Sequence, residues 1–207
     1  MKRKGKLLIA LGLLLIVAAL LLTVYNLQEQ LRAEQTSHQA VEQLQQVLPE
    51  KTEPEQPDAT NEVEIPNYLL NPNMDMPTET VNGLEYIGVL RIPGLWLELP
   101  VISEWSYPKL KCAPCRYSGS VYLDDMIISA HNYAAHFGKL KTLQPGDEVN
   151  FTDMDGNVFV YEVAEVEVLQ PTAIEEMQSG DWDLTLFTCT VGGQSRVTVR
   201  CKRTAIL

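Results

Sequence analysis

Residues 185–201 read TLFTCTVGGQSRVTVRC. An apolar run ends on Cys189, a Gly-Gly pair follows, and Arg196 opens a second run that alternates apolar and polar residues. Two such runs around a Gly-Gly pair signal an antiparallel hairpin. Pairing LTLFTC (184–189) with RVTVRC (196–201) through TVGGQS sets Cys189 opposite Arg196, about 5 Å apart at Cα. Alternation puts Arg196, Thr198 and Arg200 on one face and Val197, Val199 and Cys201 on the other. The apolar face is expected to enter the core, with Cys201 as a buried filler. Arg200 lies about 13 Å along the strand from Arg196 and is expected to be a solvated strand arginine.

Working outward, similar runs recur from about residue 81. YIGVLRI (86–92), LWLELPVI (95–102) and MIISAH (126–131) are short and rich in apolar and β-branched residues. DEVNFTDMDGNVFVYEVAEVEVL (147–169) reads as a hairpin turning at Asp155-Gly156. IEEMQSGDW (174–182) offers one short helix. Seven or so strands in roughly 125 residues imply an all-β domain, a closed barrel or a sandwich.

Upstream the chain changes character. MKRKGK (1–6) carries four positive charges and LLIALGLLLIVAALLLTVY (7–25) carries none. Nineteen helical residues rise about 28 Å, roughly the hydrocarbon core of a bilayer. A cleaved signal peptide has a shorter apolar core and an A-x-A-like site, so an uncleaved anchor is expected. The basic tail should then stay in the cytoplasm, with the rest outside in a single-pass topology. Residues 26–48 read as a solvated helical stalk, with Val41, Leu44 and Leu48 at helical spacing. Residues 49–80 contain six prolines and many acids, the composition of an extended linker. The expected organisation is a cytoplasmic tail over 1–6, a transmembrane anchor over 7–25, an extracellular stalk and linker over 26–80, and the all-β domain over 81–207. A formal charge of −11 argues against a nucleic-acid partner.

The chemistry concentrates at strand ends. Of three histidines, His131 closes the run MIISAH, as Cys189 closes LTLFTC; His38 falls in the stalk and His136 lacks a comparable strand context. A free thiol is mostly protonated at neutral pH. An imidazole can take its proton or stabilise the thiolate, and can later protonate a leaving amine. Attack on an amide builds negative charge on oxygen, which a guanidinium and backbone N–H groups can bind. Gly192 and Gly193 would let a peptide come close to the backbone. KCAPC gives Cys112 and Cys115 a C-x-x-C spacing, but its flanks are not those of a thiol oxidoreductase, and no second ligand pair supports zinc. A disulfide, a free pair or a partly buried thiol is the expectation there.

TLFTC at 185–189, SAHN around His131 and an arginine opening the next strand resemble the sortases, cysteine transpeptidases of Gram-positive cell surfaces. The T-L-x-T-C strand end matches at every fixed position, and the resemblance extends over about residues 81–204. Ala130 departs from the glycine many members carry before the histidine. The resemblance implies an eight-stranded closed β-barrel with one or two short helices. It further implies that Cys189 is the nucleophile on an LPXTG-like sorting signal, His131 the acid/base and Arg196 the holder of substrate and oxyanion. Thr188, Thr190, Gly192 and Gly193 are then substrate-binding candidates, and the loop LQPTAIEEMQSGDWD (169–183) would contact the sorting signal. The partners implied are surface proteins or pilins bearing that signal, and an amine acceptor from peptidoglycan or a pilin lysine. The short 169–183 loop favours a class D-like or class A-like layout, with class B left open. No metal or other cofactor is expected; Glu165, Glu167, Glu175 and Glu176 read as a solvated acidic face, with calcium as the alternative. Two competing readings are a non-catalytic surface adaptor on the same barrel and an L,D-transpeptidase. The latter expects Ser/Thr-x-Gly-Cys-x-Arg, and FTCTV lacks its glycine and arginine.

Overall fold

Apolar residues at every second position need a covered face, and a sheet closed on itself supplies one without leaving edges. In the computed structural model, which describes residues 2–49 and 65–206, these runs form such a closed sheet. The elements are α1 (Lys2–Val47), α2 (Asn67–Leu70), β1 (Glu79–Val81), β2 (Leu84–Ile92), β3 (Leu97–Ile102) and α3 (Tyr107–Leu110). They continue as β4 (Cys115–Ser118), β5 (Met126–Ala130), β6 (Glu148–Asp153), β7 (Val158–Leu169), α4 (Ile174–Gln178), β8 (Leu184–Cys189) and β9 (Arg196–Ile206). The strand order is β1-β2-β3-β4-β5-β8-β9-β7-β6, and β6 pairs back onto β2. Eight strands, β2 to β9, therefore close as a barrel, and β1 hangs on the outer end of β2. Of the two architectures the sequence allows, the barrel is the one formed.

The closing seam makes a specific demand. Gly88 of β2 sits opposite Asp153 of β6, at φ +156°, just past a register shift at Tyr86. A Cβ at this position would run into the Thr152 carbonyl oxygen. Only glycine lets the two strands meet there. Next to the seam, the β6–β7 hairpin turns through Asp153, as the Asp155-Gly156 signal requires. The buried Asp153 carboxylate accepts from the backbone N–H groups of Asp155 (3.0 Å) and Asn157 (2.8 Å), from the Asn157 amide (2.8 Å) and from the Tyr122 hydroxyl (2.8 Å). Inside the barrel, Leu90, Ile92, Ile128, Phe151, Phe159, Leu186, Val199 and Cys201 are fully excluded from water. Each large apolar side chain so buried contributes about 1.5–3 kcal/mol.

Two expectations are corrected. The stretch over 26–48 is helical, yet it is not a solvated stalk. It continues the apolar helix without a break and lies against the barrel, burying Ala33, Ser37, Ala40, Val41 and Leu44. The small side chains let the helix come close, and burial of Leu44 alone contributes about 2 kcal/mol. The N-terminal half of α1 keeps Leu7 to Leu27 exposed and is long and apolar enough to cross a membrane. Most of the proline- and acid-rich linker, residues 50–64, lies outside the described residues. Beyond it, Tyr68 of α2 docks on the barrel, stacked on Tyr122 at 4.9 Å.

The second correction concerns Arg200. It is 2% exposed, and its neighbour Thr198 is fully buried. The outer face of the β8–β9 hairpin is covered at this level by α4, so alternation alone misjudges it. The Arg200 guanidinium donates to Glu167 Oε1 (2.8 Å), to the carbonyls of Met177 (2.7 Å) and Glu176 (2.7 Å), and to the Thr185 hydroxyl (3.1 Å). Satisfying this many acceptors offsets the cost of burying the charge. The contact fastens α4 to the barrel wall. Glu167, one of the four acids considered for calcium, is engaged in this ion pair.

Candidate active site

Three neighbouring strands bring the chemical groups together. β5 and β8 run parallel with Ala130 beside Thr188, so the next residues along, His131 and Cys189, leave the barrel side by side. β8 and β9 run antiparallel with Cys189 opposite Arg196, the register inferred from the turn. Cys189 thus occupies the middle strand, with His131 on one flank and Arg196 on the other. Adjacent strands lie about 4.8 Å apart. All three residues line one groove of about 220 Å³.

The strand ends are held firmly. The Thr188 hydroxyl donates to the Ala130 carbonyl at 2.8 Å, tying the residue before the cysteine to the residue before the histidine. Thr188 also lines the groove. The turn after Cys189 is closed by Thr190, whose Oγ1 accepts from the Ser195 amide and lies 3.1 Å from the Ser195 hydroxyl. Gly192 (φ +85°) and Gly193 (φ +73°) supply the left-handed conformations of this turn. Thr190, Gly192 and Gly193 are outside the groove lining. Their visible part is to shape the turn that delivers Arg196. Nη1 of Arg196 donates to the carbonyls of Gly193 and Ser195, both at 3.1 Å, which fixes the guanidinium at the groove mouth.

The groove walls are apolar and aromatic. Trp105 contacts Tyr107 (4.9 Å between centroids) and Tyr117 (6.1 Å), and Tyr117 meets Phe187 edge-on at 5.4 Å. The opposite wall comes from the 169–183 loop, through Pro171, Ala173, Ile174 and Met177. Arg200 therefore supports this wall from behind. The aromatic wall escaped the sequence reading, although EWSYPKLKCAPCRYS (104–118) packs one tryptophan and two tyrosines into fifteen residues.

Burial separates the four cysteines. Cys201 and Cys115 are fully buried, and this pushes both thiols up to about 12, where they stay protonated. Cys112 is half-buried, and burial raises it too. Cys112 and Cys115 are free thiols and not a disulfide. Cys189 is half-buried and opens on the groove. Burial lowers the His131 pKa, the Lys111 ammonium lowers it further, and the Glu29 carboxylate opposes both. Among the described residues no group of three or more His, Cys, Asp or Glu side chains is placed to hold a metal.

Comparison with known proteins fits this geometry. Sortase A from Corynebacterium diphtheriae superimposes with a TM-score of 0.53 at 22% identity, covering 60% of this chain and 63% of that one. Sortase C from Streptococcus pneumoniae gives 0.52 at 26%, covering 61% and 71%. Sortase C from Clostridium perfringens SM101 gives 0.51 at 26%, covering 70% and 79%. The chain thus spans less than two thirds of the corynebacterial enzyme. No curated protein sequence matches it. The sortase domain family matches residues 90–204, more than half of the chain, and this chain belongs to the sortase family.

Proposed function

We propose that this chain is a membrane-anchored cysteine transpeptidase acting on an LPXTG-like sorting signal. The convergence of His131, Cys189 and Arg196 at three adjacent strand ends, in one apolar groove, carries the reading. The Cys189 thiol gives its proton to His131 and its sulfur attacks the carbonyl carbon of the Thr–Gly bond. Arg196 binds the oxyanion of the tetrahedral intermediate. Collapse breaks the C–N bond, and His131 returns the proton to the departing glycine amine, leaving a thioacyl-enzyme. An amine from peptidoglycan or a pilin lysine then attacks the thioester and gives up a proton through His131. A new amide forms and the thiol is regenerated. The aromatic wall and the α4 loop hold the extended peptide and keep water away from the thioester. The basic tail and the apolar half of α1 support a single-pass anchor in the cell membrane in this reading, with the N-terminus inside and the barrel outside.

The test is a transfer assay of the full chain in detergent micelles against a sorting-motif peptide library, with glycine and lysine amines as acceptors. Amide products joining peptide to amine are expected. Absence of both cleavage and transfer across the library would overturn the reading in favour of a non-catalytic adaptor.

The two arginines should separate cleanly in the same assay. Arg196→Ala should lower kcat/KM by about 10²–10³-fold, the scale for losing an oxyanion donor, with little change in melting temperature. Arg196→Lys should rescue little, because a point charge cannot reproduce the guanidinium fork. Arg200→Ala strands the Glu167 carboxylate and frees α4. It should cost about 3 kcal/mol of stability and raise KM more than it lowers kcat. Equal kinetic profiles for the two alanine variants would contradict these separate roles.

A further inference from the structure

The loop after β5, which carries His131, is built around three rings. The His131 and Tyr133 ring centroids lie 4.8 Å apart at 31°, and those of Tyr133 and His136 lie 5.6 Å apart at 45°. The backbone closes over this stack. Phe137 N–H donates to the His131 carbonyl (3.2 Å), and Gly138 N–H donates to that of Tyr133 (2.9 Å). A Cβ on Gly138 would stand 2.7 Å from the Asn132 carbonyl oxygen, so glycine is required for this closure.

The far end of the stack is gripped by α1. His136 is fully buried and Ser37 is 3% exposed. Ser37 Oγ lies 3.0 Å from His136 Nε2 and donates to the Cys112 carbonyl at 2.9 Å. With its proton committed to that carbonyl, the hydroxyl accepts from His136, so Nε2 carries the hydrogen and Nδ1 does not. Burial keeps this imidazole neutral, pushing it down to about 4. Two turns towards the N-terminus, Glu29 pairs with Lys111 at 3.3 Å, and both charges act on His131. Ala33 lies between them on the same face, buried.

We propose that Ser37 and His136 are positioning residues for His131, so that the helix that enters the membrane also completes the acid/base loop of the catalytic groove. The Ser37 hydroxyl and the Ala33 backbone carbonyl, both on α1, fix the His136 ring, His136 fixes Tyr133, and Tyr133 fixes the plane of His131. This assignment rests on the role given to His131 above. It revises the sequence-based expectation that only the strand-end histidine matters.

The test uses the full chain in nanodiscs, with two readouts. Ser37→Ala and His136→Leu should each lower kcat about tenfold, the scale of one lost hydrogen bond, with KM within about twofold of wild type. His136→Gln, which keeps an amide donor near the Nε2 position, should recover most of the loss. The Ser37→Ala/His136→Leu double variant should be no slower than either single one, because both break the same link. The second readout is the ring titration of the three histidines by NMR. Groups facing His131 are Lys111 and Glu29, Tyr133 and His136 in its own loop, and Cys189 and Arg196 in the groove. In Ser37→Ala the His131 titration should move up towards the ordinary imidazole value as the ring gains water. A lower melting temperature with unchanged kcat and unchanged His131 titration would overturn the proposal, as would additive losses in the double variant. If wild type proves inactive while the titration still shifts, the positional link stands and the transpeptidase reading falls.

Discussion

Cys189→Ala is expected to abolish covalent capture of substrate and with it both cleavage and transfer. The alanine variant still has the groove, His131 and Arg196, so peptide binding should persist while turnover disappears. No other thiol can substitute. Cys201 and Cys115 are fully buried and held protonated, and the half-buried Cys112, whose thiol burial also raises, lies outside the groove lining. Cys112→Ala should accordingly keep most of the activity. Cys189→Ser is a stricter check, since a hydroxyl in the same place is far less acidic than a thiol, and it too should be inactive. Steady-state transfer kinetics on variants with matched melting curves would measure this. Transfer by Cys189→Ala above the uncatalysed rate would remove the nucleophile from the mechanism.

His131→Ala should be nearly as damaging, lowering kcat/KM by at least about 10³-fold. One imidazole serves four proton transfers in the proposed cycle, and general acid–base catalysis typically contributes 10²–10⁴-fold. The pH profile gives an independent handle. Burial and then Lys111 lower the His131 pKa, so its neutral form persists to more acidic pH than for a free imidazole. With Cys189 and His131 required in opposite protonation states, kcat/KM should be bell-shaped. Its acid limb should fall below the ordinary histidine value of about 6.5. The two limbs belong to the pair and not to either residue alone. Replacing Lys111 by methionine should move the acid limb up, because the neighbouring positive charge is gone. An acid limb at or above the ordinary value in wild type would contradict the burial argument.

Much of this site was legible in the chain. TLFTCTVGGQSRVTVRC contains a turn signal strong enough to set a register, and the register puts Arg196 beside Cys189 without knowledge of any other strand. MIISAH and LTLFTC both end in a chemically active residue, and the parallel β5–β8 pairing aligns them one step past Ala130 and Thr188. What failed has a physical pattern. Arg200 was misplaced because alternation reports only which side of a strand a residue takes. It does not report whether another element covers that side, and α4 does. The docking of α1 was missed because Gln- and Glu-rich composition dominates 26–48. The stripe Ala33, Ser37, Ala40, Leu44 is narrow, and small residues carry little hydrophobic signal although they allow the closest approach. His136 was set aside because it does not end a strand. Its role comes from a contact 99 positions away in sequence, which no local pattern encodes.

The central claim is that the Cys189 sulfur carries the acyl group between sorting signal and amine. Intact-mass and peptide-mapping mass spectrometry test it most directly, on the full chain incubated with a sorting-motif peptide in the absence of an acceptor amine. The account expects one added mass equal to that of the peptide truncated after its threonine less one water, the thioacyl group. That adduct should map to Cys189, be sensitive to hydroxylamine, and disappear when a glycine amine is supplied. An adduct on Cys112, Cys115 or Cys201, or turnover of the peptide with no adduct on any cysteine in a rapid-quench time course, would contradict it.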